Sequence, residues 1–417
     1  MLTKRILTIL LCLSTLTVGT VAMTGCAVSV QAVDLMEGIT PGNASEKATD
    51  DIFKRSAAEF AVNLFRQTRD DEKNSIISPL SVMLALTMTA NGAKGETREQ
   101  MERLLGGEIP LEALNSYLYS YTNGLPSEPK SRLSIANSIW FRDHNFTAEK
   151  PFLQTNADYY NAQAYKSPFN DRTVREINQW VSDNTDGMID KLLDTIDPEI
   201  VMYLISAVLF DAEWKEIYSD TDIFDSIFTT HNGTKQTVSM MHSTERKYLD
   251  DGSATGFIKE YANGYSFAAL LPNENVSLSD YVSSLTGEGL LSALEQAEKT
   301  AVRVSIPKFS YQYEIDMRDA LKSLGMTIPF DGVKADFSAL GHSDDGNLSI
   351  GKALHKARIT VDEKGTKAGA VTSVAVDNET IGFEMRQVIL NRPFVYIILD
   401  NATNLPIFIG TVTNPVG

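Results

Sequence analysis

Two kinds of apolar pattern divide the chain. Ile52-Phe53, Ala57, Phe60-Ala61 and Leu64-Phe65 recur every three to four positions, the spacing that lines one face of a helix. A second helical pattern runs from Val82 to Ala90 behind Ser78-Pro79, where a hydroxyl can cap the first turn and proline gives up an N–H that this turn leaves unpaired anyway. Further along, Val201 to Phe210, Ser266 to Leu271, Ala301 to Ile306, Val388 to Leu390 and Phe394 to Leu399 are short apolar runs rich in β-branched and aromatic residues, the composition of strands. Helices early and strands late predict an α+β fold built on large, mainly antiparallel sheets. The 367 residues from Asp51 to Gly417 exceed the soft allowance of about 150 per domain. No Pro/Gly/Ser linker, charge run or internal repeat breaks them, however, so one body is expected.

The first 25 residues follow a separate logic. Lys4 and Arg5 precede an apolar run from Ile6 to Leu16, and small residues lead to Met23-Thr24-Gly25-Cys26, the pattern of an export signal. Thr24-Gly25-Cys26 is similar to a bacterial lipobox, in which Cys26 carries a lipid and becomes the mature N-terminus. Met23 stands where Leu is usual, and simple cleavage beyond Cys26 is the other reading. Val28 to Asp50 has no apolar periodicity and carries Gly38, Pro41, Gly42, Asn43 and Ser45, so 26–50 reads as a polar tether. The expected organisation is signal 1–25, tether 26–50 and body 51–417, held on the outer face of the cell membrane as a lipoprotein or secreted.

Cys12 and Cys26 are the only cysteines, so the body has no disulfide and no cysteine metal site. Loss of Lys4 and Arg5 with the signal takes the formal charge from −17 to −19, a balance that favours solubility and disfavours nucleic acid. There is no Gly-x-Ser-x-Gly elbow, His-Glu-x-x-His, P-loop or Gly-x-Gly-x-x-Gly, which removes the commonest hydrolase and nucleotide signatures. His144, His231, His242, His342 and His355 are scattered without metal-ligand spacing. The acidic pairs Asp70-Asp71 and Asp344-Asp345 sit among polar residues that would desolvate neither partner. No catalytic residue, metal or cofactor is expected.

The segment Val361-Asp362-Glu363-Lys364-Gly365-Thr366-Lys367-Ala368-Gly369-Ala370 resembles the hinge of the inhibitory serpins, Glu-x-Gly-Thr followed by small residues. Asn74 to Ser81 and Asn91 to Thr97 are similar to the two ends of the family's second helix. Ile177-Asn178-Gln179-Trp180-Val181 through Thr185-Asp186-Gly187-Met188-Ile189 resembles the helix that lies across its main sheet. Ile306-Pro307-Lys308-Phe309, Leu324-Gly325-Met326, Asn391-Arg392-Pro393-Phe394 and Phe408-Ile409-Gly410 through Asn414-Pro415 follow in family order. The match spans essentially all of Asp51 to Gly417.

The resemblance implies three sheets, about nine helices and an exposed reactive-centre loop, here about 365–388, that inserts into the largest sheet. The hinge would be Glu363, Gly365, Thr366, Ala368, Gly369 and Ala370. A polar cluster beneath the inserting strand maps onto Ser78, Ser81 and His355, with Ser206 where the family usually has Asn. Trp214 resembles the tryptophan at the point where the loop enters. The usual spacing from Glu363 puts the reactive bond at Glu379-Thr380, while spacing back from Pro393 lands near Gly382, so the loop is longer than typical. Ile381, Phe383, Met385 and Arg386 would suit elastase-like, chymotrypsin-like and trypsin-like enzymes, and several bonds within 376–386 could serve.

The residues support insertion by their own pattern. Alternate positions Thr366, Ala368, Ala370, Thr372, Val374 and Val376 are small or β-branched, while Lys367 and Asp377 fall on the other set. One face can therefore bury while the other stays wet, and no proline interrupts the stretch. The expectation is a monomeric inhibitor that traps a serine or cysteine protease as a covalent complex. The alternative is a binding serpin that never inserts.

Overall fold

The stripe between Ile52 and Phe65 forms α1 (Asp51–Thr68) in the computed structural model, which describes residues 32–197, 199–344, 346–366 and 385–416. Ser78-Pro79 opens α2 (Pro79–Ala90), whose Ser78 hydroxyl accepts from the Ser81 N–H. Every residue of α2 is buried, so its sequence is apolar all round rather than striped. The other helices among the described residues are α3 (Gly95–Gly106), α4 (Leu111–Gly124), α5 (Lys150–Tyr160), α6 (Asp171–Asn184), α7 (Leu278–Ser284), α8 (Gly287–Glu295) and α9 (Arg318–Ser323).

Three main sheets carry the strands. The largest has the order β1 (Val33–Asp34), β5 (Gln163–Ser167), β3 (Ser131–Arg142), β6 (Met202–Glu213), β16 (Gly365–Thr366), β15 (Lys352–Val361) and β13 (Phe309–Asp316). A second contains β2 (Ser75–Ile77), β19 (Pro406–Val412), β18 (Phe394–Asp400), β11 (Tyr265–Pro272), β10 (Ala254–Glu260) and β9 (Tyr248–Asp250). The third contains β17 (Arg386–Ile389), β12 (Val302–Pro307), β8 (Lys235–Glu245) and β7 (Ile223–Thr229). A short ladder joins β4 (Thr147–Ala148) to β14 (Gly341–His342). The apolar runs read as strands all lie in these sheets, and the fold is the expected α+β architecture.

The large sheet is covered on both faces. On one side Val174, Ile177, Trp180 and Val181 of α6, with Ile189, Leu192 and Leu193 of the segment after it, pack on Tyr203, Ile205, Ala207 and Leu354. On the other, α2 and the second sheet form the main core. Strand alternation assigns each residue to one layer: Ile205 and Leu354 face α6, and their neighbours Ser206 and His355 face α2.

Residues 32–50 correct the tether reading over the part that is described. Val33 and Asp34 pair with Lys166 and Tyr165 at the sheet edge, and the Leu35 N–H donates to the Ala164 carbonyl at 2.8 Å. The N–H groups of Gly42, Ser45 and Lys47 then donate to side-chain oxygens of Asp158, Tyr159 and Ser120. Leu35, Met36 and Ile39 pack against the core, and Asp50 caps α1 by accepting from the Phe53 N–H at 2.9 Å. The segment shows no periodicity because it is held as an irregular strap, by backbone donors that meet polar side chains.

Candidate functional site: the seam of the large sheet

β6 and β15 meet along a parallel ladder of five residue pairs, from Tyr203 with Lys352 to Ala207 with Lys356. At the far end of the seam Gly365 and Thr366 lie between them, pairing antiparallel with Glu213 and Ala212, while Thr366 also pairs with Val361. The hinge is thus already two residues into the sheet. At the other end of the loop Arg386 to Ile389 pair in parallel with Val302 to Ser305. Both ends of the loop read as 365–388 therefore lie in sheets. Its interior, 367–384, with Ala368, Gly369, Ala370, Glu379, Thr380, Ile381 and Phe383, falls outside the described residues, as do Cys26 and the signal.

The mouth of the seam is built from aromatic stacking and backbone acceptors. Trp214 donates from Nε1 to the Asp362 carbonyl and from its backbone N–H to the Lys364 carbonyl, each at 2.8 Å. Its ring stacks on Tyr261 with centroids 4.5 Å apart and an interplanar angle of 6°. The Tyr261 hydroxyl reaches the Thr366 hydroxyl at 2.7 Å, and burial holds its ionisation far above the ordinary phenol range. Thr366 is only 2% exposed. Gly365 has φ +153°, and a Cβ there would sit 2.0 Å from the Ala212 carbonyl oxygen, so only glycine fits the approach. Glu363 is anchored outside the seam by Lys308 at 2.6 Å, and that hydrogen-bonded ammonium lowers its carboxyl pKa.

Lys308 joins β12 to β13, which brings the third sheet to the hinge. It falls inside the quoted Ile306 to Phe309 motif, yet nothing local in the sequence couples it to Glu363. The buried Lys259–Glu245 pair at 2.9 Å was likewise missed; its ammonium lies 4.5 Å from the Tyr218 ring and 5.4 Å from that of Trp214. A Lys inside an apolar strand run was the one available signal.

Two sets of polar contacts hold the ladder from opposite faces. On the α6 side, Lys356 donates to the Lys191 carbonyl at 2.6 Å and pairs with Glu314 at 3.1 Å. Asn178 of α6 binds the same segment through Leu192 and Leu193. A strand entering between β6 and β15 must pass beneath this cover.

On the α2 side the structure brings together the predicted cluster. The Ser78 N–H donates to His355 Nε2 at 3.1 Å, and the Ser81 hydroxyl donates to the Ser78 carbonyl at 3.0 Å. Ser206 stands beside His355 in the ladder and across from Asn137 of β3. Among the described residues, His355 Nδ1, Ser206 Oγ and Asn137 Oδ1 have no hydrogen-bond partner. Asn137, unremarked in the sequence, belongs to the cluster by register alone. Burial pushes the His355 imidazole down to about 4, and a neutral ring is what accepting from the Ser78 N–H requires.

Fold and seam define a class: an α+β protein whose main sheet is parted at one end by Gly365 and Thr366, which pair between β6 and β15. The chain belongs to the serpin family; the family described as Serpin (serine protease inhibitor) matches residues 55–415. Human neuroserpin is 29% identical over 388 residues, covering 88% of this chain and 93% of its own. The crystal structure of the thermophilic serpin tengpin in the native state is similar with a TM-score of 0.90 and 52% identity, over 92% of this chain and all of that one. Tengpin in the latent state, 53% identical, gives a TM-score of 0.79 over 88% of this chain and 99% of that one.

Two predictions follow from the cluster's open valences. Ser206→Asn places an amide beside His355 Nδ1 and Asn137; one buried hydrogen bond gained contributes about 1 kcal/mol. The thermal midpoint of the intact protein, read by circular dichroism, should rise, and a fall would show that the site has no room for the larger side chain. His355 has a folded pKa near 4, below its ordinary 6.5. Its contribution is therefore complete above pH 6.5 and lost as pH falls toward 4, because the unfolded chain binds the proton first, at up to about 1.4 kcal/mol per pH unit. The midpoint of the native protein should drop more between pH 7 and pH 4.5 than that of His355→Gln, and equal drops would exclude His355 as the cause.

Proposed function

We propose that the chain is an inhibitory serpin that captures a serine protease as a covalent acyl-enzyme. The observation that carries this reading is the seam: Gly365 and Thr366 already pair antiparallel between β6 and β15, while only a five-pair parallel ladder closes the sheet below them. Thr366 to Val376 carry the period-two pattern of the strand that would extend this pairing. Insertion replaces a short parallel ladder by antiparallel partners on both sides, which are slightly more stable per residue.

In the proposed reaction the protease hydroxyl adds to the carbonyl of the bait residue, with Glu379 favoured. The Glu379–Thr380 bond breaks, and the leaving amine takes the proton. Residues 386–412 remain woven into the second and third sheets through β17, β18 and β19, so the severed segment stays in place. The acyl bond then either meets water or is dragged away as the loop inserts, and the faster step decides. We also propose that export is followed by attachment through Cys26 to the outer membrane face, with secretion as the alternative.

Incubation with a panel of proteases, denaturing electrophoresis and mass spectrometry of the severed C-terminal peptide tests the reading and locates the bond. A covalent band is expected with at least one enzyme; cleavage without any covalent band across the panel favours a binding serpin. Cleavage near Glu379 should also raise the thermal midpoint sharply, since burying Val374 and Val376 contributes roughly 3 to 5 kcal/mol at about 25 cal/mol per Å². Equal midpoints for intact and nicked protein would contradict insertion.

Thr366→Arg should convert the inhibitor into a substrate. The guanidinium cannot occupy the buried position against Tyr261, and forcing a charge into the seam costs several kcal/mol. Since about 1.4 kcal/mol is a factor of ten in rate, hydrolysis should outrun insertion. With a protease that complexes the wild type, the variant should give nicked inhibitor and active enzyme; an undiminished covalent band would show that Thr366 does not govern insertion.

A further inference from the structure

The hinge pairing fixes the path of the loop. Gly365 pairs with Glu213 and Thr366 with Ala212, so each further residue of an inserting strand steps one residue down β6. The same register brings Val376 to Met202, the first residue of β6, and leaves Glu379 beyond the strand end. Met202 pairs with Phe141, Phe141 with Lys166, and Lys166 with Val33. The row that would receive Val376 is the row at which the N-terminal strap joins the sheet. Along β3 this row lies from Ser131, level with the hinge, down to Phe141, about 34 Å at the rise of a strand. β1 is four strands across from the seam, about 19 Å at the usual strand spacing.

Insertion as proposed above carries a captured protease to this pole; we infer that the same pole is turned toward the lipid surface that holds the N-terminus. The inference rests on the inhibitory reading and on attachment at Cys26. Before cleavage the chain leaves the large sheet after Thr366, which is level with Ser131 and so at the opposite end of β3 from the strap. After insertion the acylated residue lies just past the strap's first pairing. The chain from Cys26 to Ala32 spans at most about 21 Å. A protease domain of about 200 residues has a radius of gyration of about 16 Å and is roughly 40 Å across. Enzyme and membrane therefore compete for one space, and the length of chain ahead of Val33 sets how often capture beats hydrolysis.

The mature chain has Cys26 as its single thiol, so it can be coupled there to phosphatidylcholine vesicles bearing a maleimide lipid. Three forms are compared with a protease that complexes the free chain: free, coupled with the native connection, and coupled with a 40-residue Gly/Ser insertion between Gln31 and Ala32, whose root-mean-square reach is about 35 Å. All three should be nicked at rates within about twofold of one another. The covalent fraction on a denaturing gel should be at least about threefold lower for the native-length coupled form than for the free form, and the insertion should restore it. Equal covalent fractions in all forms would overturn the inference. So would bait cleavage that coupling slows tenfold at both tether lengths, since the bait would then face the membrane. If no protease gives a covalent complex with the free chain, the inhibitory reading has failed and this inference falls with it.

Discussion

The parallel ladder between β6 and β15 is the contact on which the rest of the molecule depends. Five residue pairs join the two halves of the large sheet, and above them Gly365 and Thr366 keep the strands apart. Each of these strands has backbone groups that a longer antiparallel partner would engage, and the sequence that follows Thr366 has the period to supply one. On the proposed mechanism the sheet is closed against a better-paired state of the same chain, and everything packed around the seam sets the barrier between them.

That barrier is polar on both faces. Lys356 and Asn178 tie the α6 cover to the sheet through backbone carbonyls and N–H groups. Beneath, hydrogen bonds join His355 of β15 to Ser78, and Ser78 to Ser81, at the start of α2. Hydrogen bonds are directional and are lost over a fraction of an ångström, whereas apolar contacts adjust. A seam closed by hydrogen bonds can therefore be stiff until it yields. Ser206, His355 and Asn137 bring three buried polar atoms to this place that have no protein partner among the described residues.

The mouth of the seam works differently. Trp214 and Tyr261 stack over the hinge, and Lys308 holds Glu363 beside it. Gly365 passes so close to the Ala212 carbonyl that no side chain fits. These contacts fix the first two residues of the loop in strand geometry, so that extending the strand adds pairs to an existing register and needs no new nucleus. The same register relates the far pole to the strap at Val33.

Much of the fold was legible in local pattern. Helical spacing marked α1, the Ser-Pro start marked α2, and β-branched runs marked the central strands, because periodicity reports which side of an element is buried. Gly365 and Thr366 were legible as hinge residues only through the family resemblance, and the close approach of Gly365 to the Ala212 carbonyl belongs to the structure. Other features only the tertiary structure decided. That the hinge already sits in the sheet depends on where β6 and β15 diverge, which no segment encodes alone. Lys308 and Asn137 acquire their roles from partners far away in sequence. The strap between 32 and 50 looked like a tether because its holding groups are backbone N–H donors, which every sequence carries, and their acceptors stand on α4 and α5. Local pattern determines which residues can be buried, while long-range register determines what they are buried against.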